Sequence, residues 1–262
     1  MRRVAALLAL SLLVAACGSK SSSSNAPTTT ATATPNLQAA VSKTIAAGSE
    51  HVAIVAATKA AGQNVQLSGS GDFDATTRTG KLHTTVAMAT LRPVLDEVLS
   101  GSTVYVSAPQ LLSPLLPAGK TWLRIDLANA GKTFGLSPSV LQAQDPSQSL
   151  AQLKAITAVQ DLGSETIGGV QTEHYRGRID PAKLAAAERQ ALSKSGTTFG
   201  PYDVWVGSDG YVHKVRVVTN TSGTKTTATV TLSKFGEKVI VDVPATADTV
   251  DASKLSIPGL TG

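Results

Sequence analysis

Few residues in this chain are of types that do chemistry, and their spacing argues against most enzyme classes. Four histidines, His51, His83, His174 and His213, fall in stretches that alternate apolar and polar residues. None belongs to an H-E-x-x-H helix or a comparable ligand spacing, so hydrogen-bonded or exposed strand histidines are expected, and no metal site. Asp72 and Asp74 share one strand face, as a general acid and base would need to. Beside Gly69 and Gly71 they read as a solvated strand end, ahead of catalytic or calcium-binding carboxylates. "GLSPS", Gly135 to Ser139, lacks the second glycine of a nucleophile elbow. "SGSGD", Ser68 to Asp72, has no lysine and opens no helix, so it does not cradle phosphate. The sequence therefore predicts a protein that is not an enzyme and carries no cofactor.

The remaining reactive side chain is Cys17, the single cysteine of the 262 residues. Before it, Arg2 and Arg3 form a short basic region and Val4 to Ala16 an apolar run, too short for a span of about 20 residues and suited to a secretory signal. Val14-Ala15-Ala16-Cys17 looks like a bacterial lipobox. Cleavage before the cysteine leaves its thiol to carry a diacylglyceryl group, so residues 1–16 are read as a signal peptide and Cys17 as the lipidation site. No disulfide is then available to the mature chain. One acyl chain anchors only marginally, whereas the two or three expected on Cys17 hold a protein permanently at a membrane, here the extracytoplasmic face of the cell membrane. Residues 17–35, nearly all Ser, Thr, Ala and Pro after the cysteine, have too little apolar surface to offset the entropy of ordering. They are expected to form a disordered tether, whose threonines and prolines also suit O-glycosylation.

Residues 36–262 are long enough for one domain with its own core. Full-chain charge is +5, falling to +3 without Arg2 and Arg3, and the cations are scattered singly. Nucleic acid is not an expected partner. "NLQAAVSKTIAAG" reads as a helix with Asn36 as N-cap and Gly48 as stop. The apolar period then changes from 3.6 to 2. "EHVAIVAATK", "NVQLSGSGDFD" and "GKLHTTVAMA" form a meander, and "PVLDEVLSGSTVYVSA" a hairpin closing at Ser100-Gly101-Ser102, although Val94 to Leu99 could also be a helical turn. "KTWLRIDL" alternates again. From Ala128 to about Thr157 the period of two is lost; Asp145-Pro146 opens a helix with Leu150, Leu153 and Ile156 as its stripe. Strands meet at Gly168-Gly169, a helix runs from Pro181 to about Lys194, and turns at Asp209-Gly210 and Gly223 join three more strands before an extended "EKVIVDVPA". Roughly ten or eleven strands with segregated helices predict a single α+β domain: one strongly curved antiparallel sheet with helices covering its concave face.

"AAGSEHVAIVA" after a leading helix, "GDFDATTRTGKL", "STVYVSA", "KTWLRIDL", "DPSQSLAQLKAI", "SETIGGVQTEHYRGRID", "YDVWVGSDGYVHKVRV" and "TVTLSKFGEKVIVDVP" occur in an order that resembles the actinobacterial LppX/LprAFG-type lipoproteins, a family similar in fold to the LolA/LolB carriers. The resemblance implies a half-barrel sheet enclosing a hydrophobic cavity that binds acylated lipid or lipoglycan in the cell envelope, for transport or presentation, by a monomer that could work with an envelope transporter. The expected wall is Leu82, Val86, Met88, Val104, Val106, Leu123 and Ile125, faced by Leu150, Leu153 and Ile156. Hydrophobic residues make up 42% of the chain but aromatics only 4%, so small and branched side chains dominate and could either leave room for a guest or pack a dry core. The alternative is therefore an extracytoplasmic interaction or sensor domain of the same fold with a filled core.

Overall fold

A computed structural model describes residues 33–60, 62–127 and 150–255. Helix α1 (Ala33–Ala46) leads into β1 (Ser49–Ala60), β2 (Gln63–Asp74), β3 (Thr79–Met88), β4 (Val94–Ser100) and β5 (Thr103–Ser107). A single helical turn, α2 (Pro109–Leu112), precedes β6 (Trp122–Asp126). After a 3-10 turn at Leu153–Ala155 come β7 (Ile156–Ile167), β8 (Val170–Ile179), α3 (Ala186–Ser195), β9 (Thr197–Gly207), β10 (Val212–Thr221), β11 (Thr224–Ser233) and β12 (Thr249–Asp251). All twelve described strands form one sheet, in the order β12-β6-β5-β4-β3-β2-β1-β11-β10-β9-β8-β7. Neighbours are antiparallel except β12, which pairs parallel to β6. The two end strands do not pair with each other, so the large curved sheet stays open.

Local sequence accounts for much of this. In β2 and β3 every second residue is apolar or small, and these residues are shielded while their neighbours Gln66, Ser68, Lys81 and His83 face solvent. Gly168 and Gly169, at φ of 57° and 85°, make the two-residue hairpin loop between Ile167 and Val170, a geometry that left-handed backbone favours. In α1 Leu37, Val41 and Thr44 recur at helical spacing and are fully buried.

The apolar residues collect in two clusters. One lies where α1 packs on β7 and β10 and contains Leu37, Val41, Val52, Leu153, Ile156, Val204, Val212 and Leu232. The other, where α2 packs on β4, contains Val65, Val86, Leu95, Val104, Leu112, Leu123 and Ala252.

Several expectations need correction. Twelve strands are described, not ten or eleven. Val94 to Leu99 is strand. α1 begins at Ala33, so Asn36 lies inside its first turn and Ala33 to Pro35, expected in the disordered tether, are helical. "EKVIVDVPA" forms no strand, and the last strand lies further on, at Thr249–Asp251. Pro181–Lys183 is a separate 3-10 turn, capped by the Asp180 carboxylate accepting from the Ala182 N–H, and α3 starts only at Ala186. Ile156 is the first residue of β7, not the third rung of a helical stripe. Among the described residues no continuous helical cover spans the concave face; the helix start expected at Asp145-Pro146 lies outside them.

Candidate functional site

Register defines the sheet face on which a ligand site could be built. One row of cross-strand partners runs Leu232, Val52, Gly71, Leu82, Glu97, Val106, Leu123 and Val250, from β11 through β1 to β6 and on to β12. Seven of these eight are apolar or glycine. A parallel row, Ala228, Ala56, Leu67 and Val86, repeats the pattern four residues along. The expected wall residues on strands, Leu82, Val86, Met88, Val104, Val106, Leu123 and Ile125, all lie on this face. Val86, Val104, Val106 and Leu123 are buried in the second cluster, and Met88 and Ile125 pack partly exposed against it. Leu82 is half-buried and belongs to neither cluster. Leu150, Leu153 and Ile156 are buried too, but in the first cluster with α1. The structure thus gathers seven of the ten on one stretch of sheet and places the other three beside α1, not opposite them.

Where the two clusters meet, the sheet carries Gly69 and Gly71. A Cβ on Gly71 would stand 1.9 Å from the Lys81 carbonyl oxygen, and one on Gly69 2.6 Å from that of His83. Only residues without side chains permit β2 to approach β3 so closely, as at a tight bend in a curved sheet. The Gly-rich stretch therefore shapes the sheet. The middle of the apolar face is left lined by these glycines, Leu82 and Glu97.

Sequence reasoning did not find Glu97, yet the signal was present. In Leu95-Asp96-Glu97-Val98-Leu99 a carboxylate occupies the position that strand alternation turns inward. With alkyl groups around it, burial pushes its carboxyl above the usual carboxylate range. On the same face, burial also raises the Tyr202 hydroxyl.

The groups that could have served catalysis are engaged on the other face or in turns. His51 Nδ1 lies 2.6 Å from Asp72, which also takes Lys81 at 3.3 Å. That hydrogen bond from His51, followed by Lys81, holds the Asp72 carboxyl below its ordinary range. His83 pairs with Asp96 at 2.6 Å, His174 with Asp203 at 3.0 Å, and His213 with Asp209 at 3.0 Å. Asp74 accepts from the Thr76 and Thr77 N–H groups and is held low chiefly by them. His174 stacks on Trp205 at 4.2 Å, while Lys214 sits 3.9 Å above the same indole. Asp203 also receives Arg176 at 2.7 Å. These are cross-strand supports of the sheet. Among the described residues no group of three His, Cys, Asp or Glu side chains could hold a metal ion. An open depression of about 630 Å³ lies at the hairpin tips beside Thr58, Lys59, Asn64 and Lys225. Its lining includes none of the expected wall.

Comparison with known proteins adds four likenesses. The family model for LppX_LprAFG lipoproteins matches residues 31–241. A Streptomyces griseus protein, described as an uncharacterized 31.2 kDa protein in the rplA-rplJ intergenic region, is 28% identical over 152 residues, 52% of this chain and 50% of that protein. The chain thus spans about half the length of this curated relative. Among solved structures, LprF from Mycobacterium bovis matches at a TM-score of 0.54 and 16% identity, covering 84% of this chain and all of that one. LppX from Mycobacterium tuberculosis matches at 0.48 and 19%, covering 79% and 99%. The likeness to LprF concerns the fold, a large open curved sheet.

Proposed function

The chain belongs to the LppX_LprAFG lipoprotein family, and from that premise we propose that it is an envelope lipoprotein, anchored through Cys17, that holds an acylated lipid or lipoglycan against the apolar face of its sheet. It is not an enzyme; it ferries its ligand or presents it to a partner such as an envelope transporter.

The observation that carries this reading is the state of the apolar face. It continues across eight strands, and Ile54, Leu67, Leu82, Met88 and Ile125 on it are only half-buried among the described residues. Removing a chain of about 16 carbons from a bilayer costs on the order of 13 kcal/mol at about 0.8 kcal/mol per CH₂. A carrier must offer the chain nearly equal apolar contact, and a wall of branched aliphatics does so without polar groups to desolvate.

The test is extraction of purified protein lacking residues 1–35 into organic solvent, followed by mass spectrometry. Acylated molecules approaching one per protein are expected. Their absence would favour the sensor or interaction domain, a reading to which the complete burial of Val86, Val104, Val106 and Leu123 beside Leu112 and Ala252 lends support.

A further inference from the structure

Glu97 is the one ionisable residue in the eight-strand row described above. Its cross-strand partners are Leu82 and Val106, and Leu95 and Leu99 flank it on β4. The charged groups of the adjoining strands face the other way: Lys81 and His83 of β3 are paired with Asp72 and Asp96. From α2, which packs on β4, Gln110 directs its side-chain oxygen to the Val94 N–H. Among the described residues Glu97 thus has neither an ion-pair nor a hydrogen-bond partner. It is half-buried and not sealed in a core, so its carboxyl borders the space above Leu82 and Gly71. Its oxygens are not among the buried unpartnered polar atoms, so water reaches them, but only at a desolvation cost that a hydrogen-bonding ligand group would offset.

The chemistry of the missing partner is constrained. Burial favours the neutral acid, which donates one O–H hydrogen bond and otherwise accepts. A charged head group would bring its own desolvation cost into the same apolar stretch. An ester carbonyl would not: it is a neutral acceptor, and in an acylated lipid it sits at the root of the alkyl chain. We propose that Glu97 donates a hydrogen bond to the ester carbonyl of an O-acyl lipid lying along this row, and thereby selects ester-linked over ether-linked chains. This deepens the lipid-binding reading and rests on it.

The test measures binding of dioleoylglycerol and of its di-O-oleyl ether, from mixed detergent micelles, to the detergent-purified full chain and to its Glu97→Leu and Glu97→Gln variants. The wild type is expected to prefer the ester about three- to tenfold, the range for one net hydrogen bond. In Glu97→Leu the ester-over-ether preference should collapse to about one. Glu97→Gln, whose amide still donates, should keep it. A wild-type ratio near one, a Glu97→Leu ratio equal to the wild type's, or a Glu97→Gln ratio as low as that of Glu97→Leu each overturns the role of Glu97. If the wild type carries native acylated lipid yet fails any of these, only the inference about Glu97 falls. If it binds neither probe and its extract holds no acylated molecule, the lipid-binding reading falls and the inference with it.

Discussion

A methyl group on residue 71 would collide with the backbone of β3, because the Lys81 carbonyl oxygen lies 1.9 Å from where that carbon must stand. Backbone cannot rotate aside as a side chain can, so Gly71→Ala should cost about 3 kcal/mol or more in urea unfolding, at the upper end for overpacking. Glu97 acts in the opposite sense. Its folded-state carboxyl titrates above its ordinary value of 4.5, so the stability it contributes is complete below 4.5 and is lost as pH rises through the elevated value. Glu97→Gln should therefore unfold at a higher urea concentration than the wild type at neutral pH, with the gap closing on acidification toward 4.5. A gap that stays constant with pH would remove desolvation as the cause. Asp72 runs the other way, since His51 and Lys81 hold it below 3.8: its contribution is present above 3.8 and disappears as pH falls through the depressed value. The pair is partly exposed, so Asp72→Asn should lose about 1 kcal/mol or less at pH 7 and nothing at the acid end of the same titration.

Between elements, the decisive contacts join segments far apart in sequence, and Thr44 shows how. Its hydroxyl donates to the Ala40 carbonyl within α1 and accepts the N–H of Val212 at the start of β10, with no solvent exposure. Thr44→Val keeps the shape but strands a buried N–H, so a loss of about 1–3 kcal/mol is expected from chemical unfolding. A neutral result would show that water reaches Val212. The same distinction explains what the sequence did and did not disclose. Hairpins at Ser100-Gly101-Ser102 and Gly168-Gly169 were legible because the period of two on either side and the turn residues between are both local. So was the inward set Leu82, Val86, Met88, Val104, Val106, Leu123 and Ile125. β12 was not, being three residues that pair in parallel with β6, over 120 positions back. "EKVIVDVPA" alternates like a strand, but β1 and β11 already have a neighbour on each side, so no adjacent edge receives it; Ile240 and Val243 stay exposed. Leu150, Leu153 and Ile156 were rightly apolar, yet periodicity does not say which part of a sheet a segment will cover. Glu97 escaped notice because Val94 to Leu99 fitted a strand or a turn equally well, and only the strand gives its side chain a face.

At the scale of the whole molecule, the proposed function requires an open sheet with one apolar face to meet a membrane ligand without itself dissolving in the bilayer. No described helix is long and apolar enough to cross a membrane. On the proposed function, retention at the surface falls to Cys17. Because each buried CH₂ contributes about 0.8 kcal/mol, two or three acyl chains make release negligible, whereas the bare polypeptide, at +3 once Arg2 and Arg3 are removed, has only weak electrostatic attraction to anionic lipid. Cys17→Ala should therefore shift the protein from the membrane pellet to the soluble or secreted fraction, while the purified variant keeps whatever lipid the wild type carries. A variant that remains in the pellet and resists a high-salt wash would mean that the sheet itself, through its half-buried aliphatic face, binds the bilayer, and the division of labour between anchor and pocket would be lost.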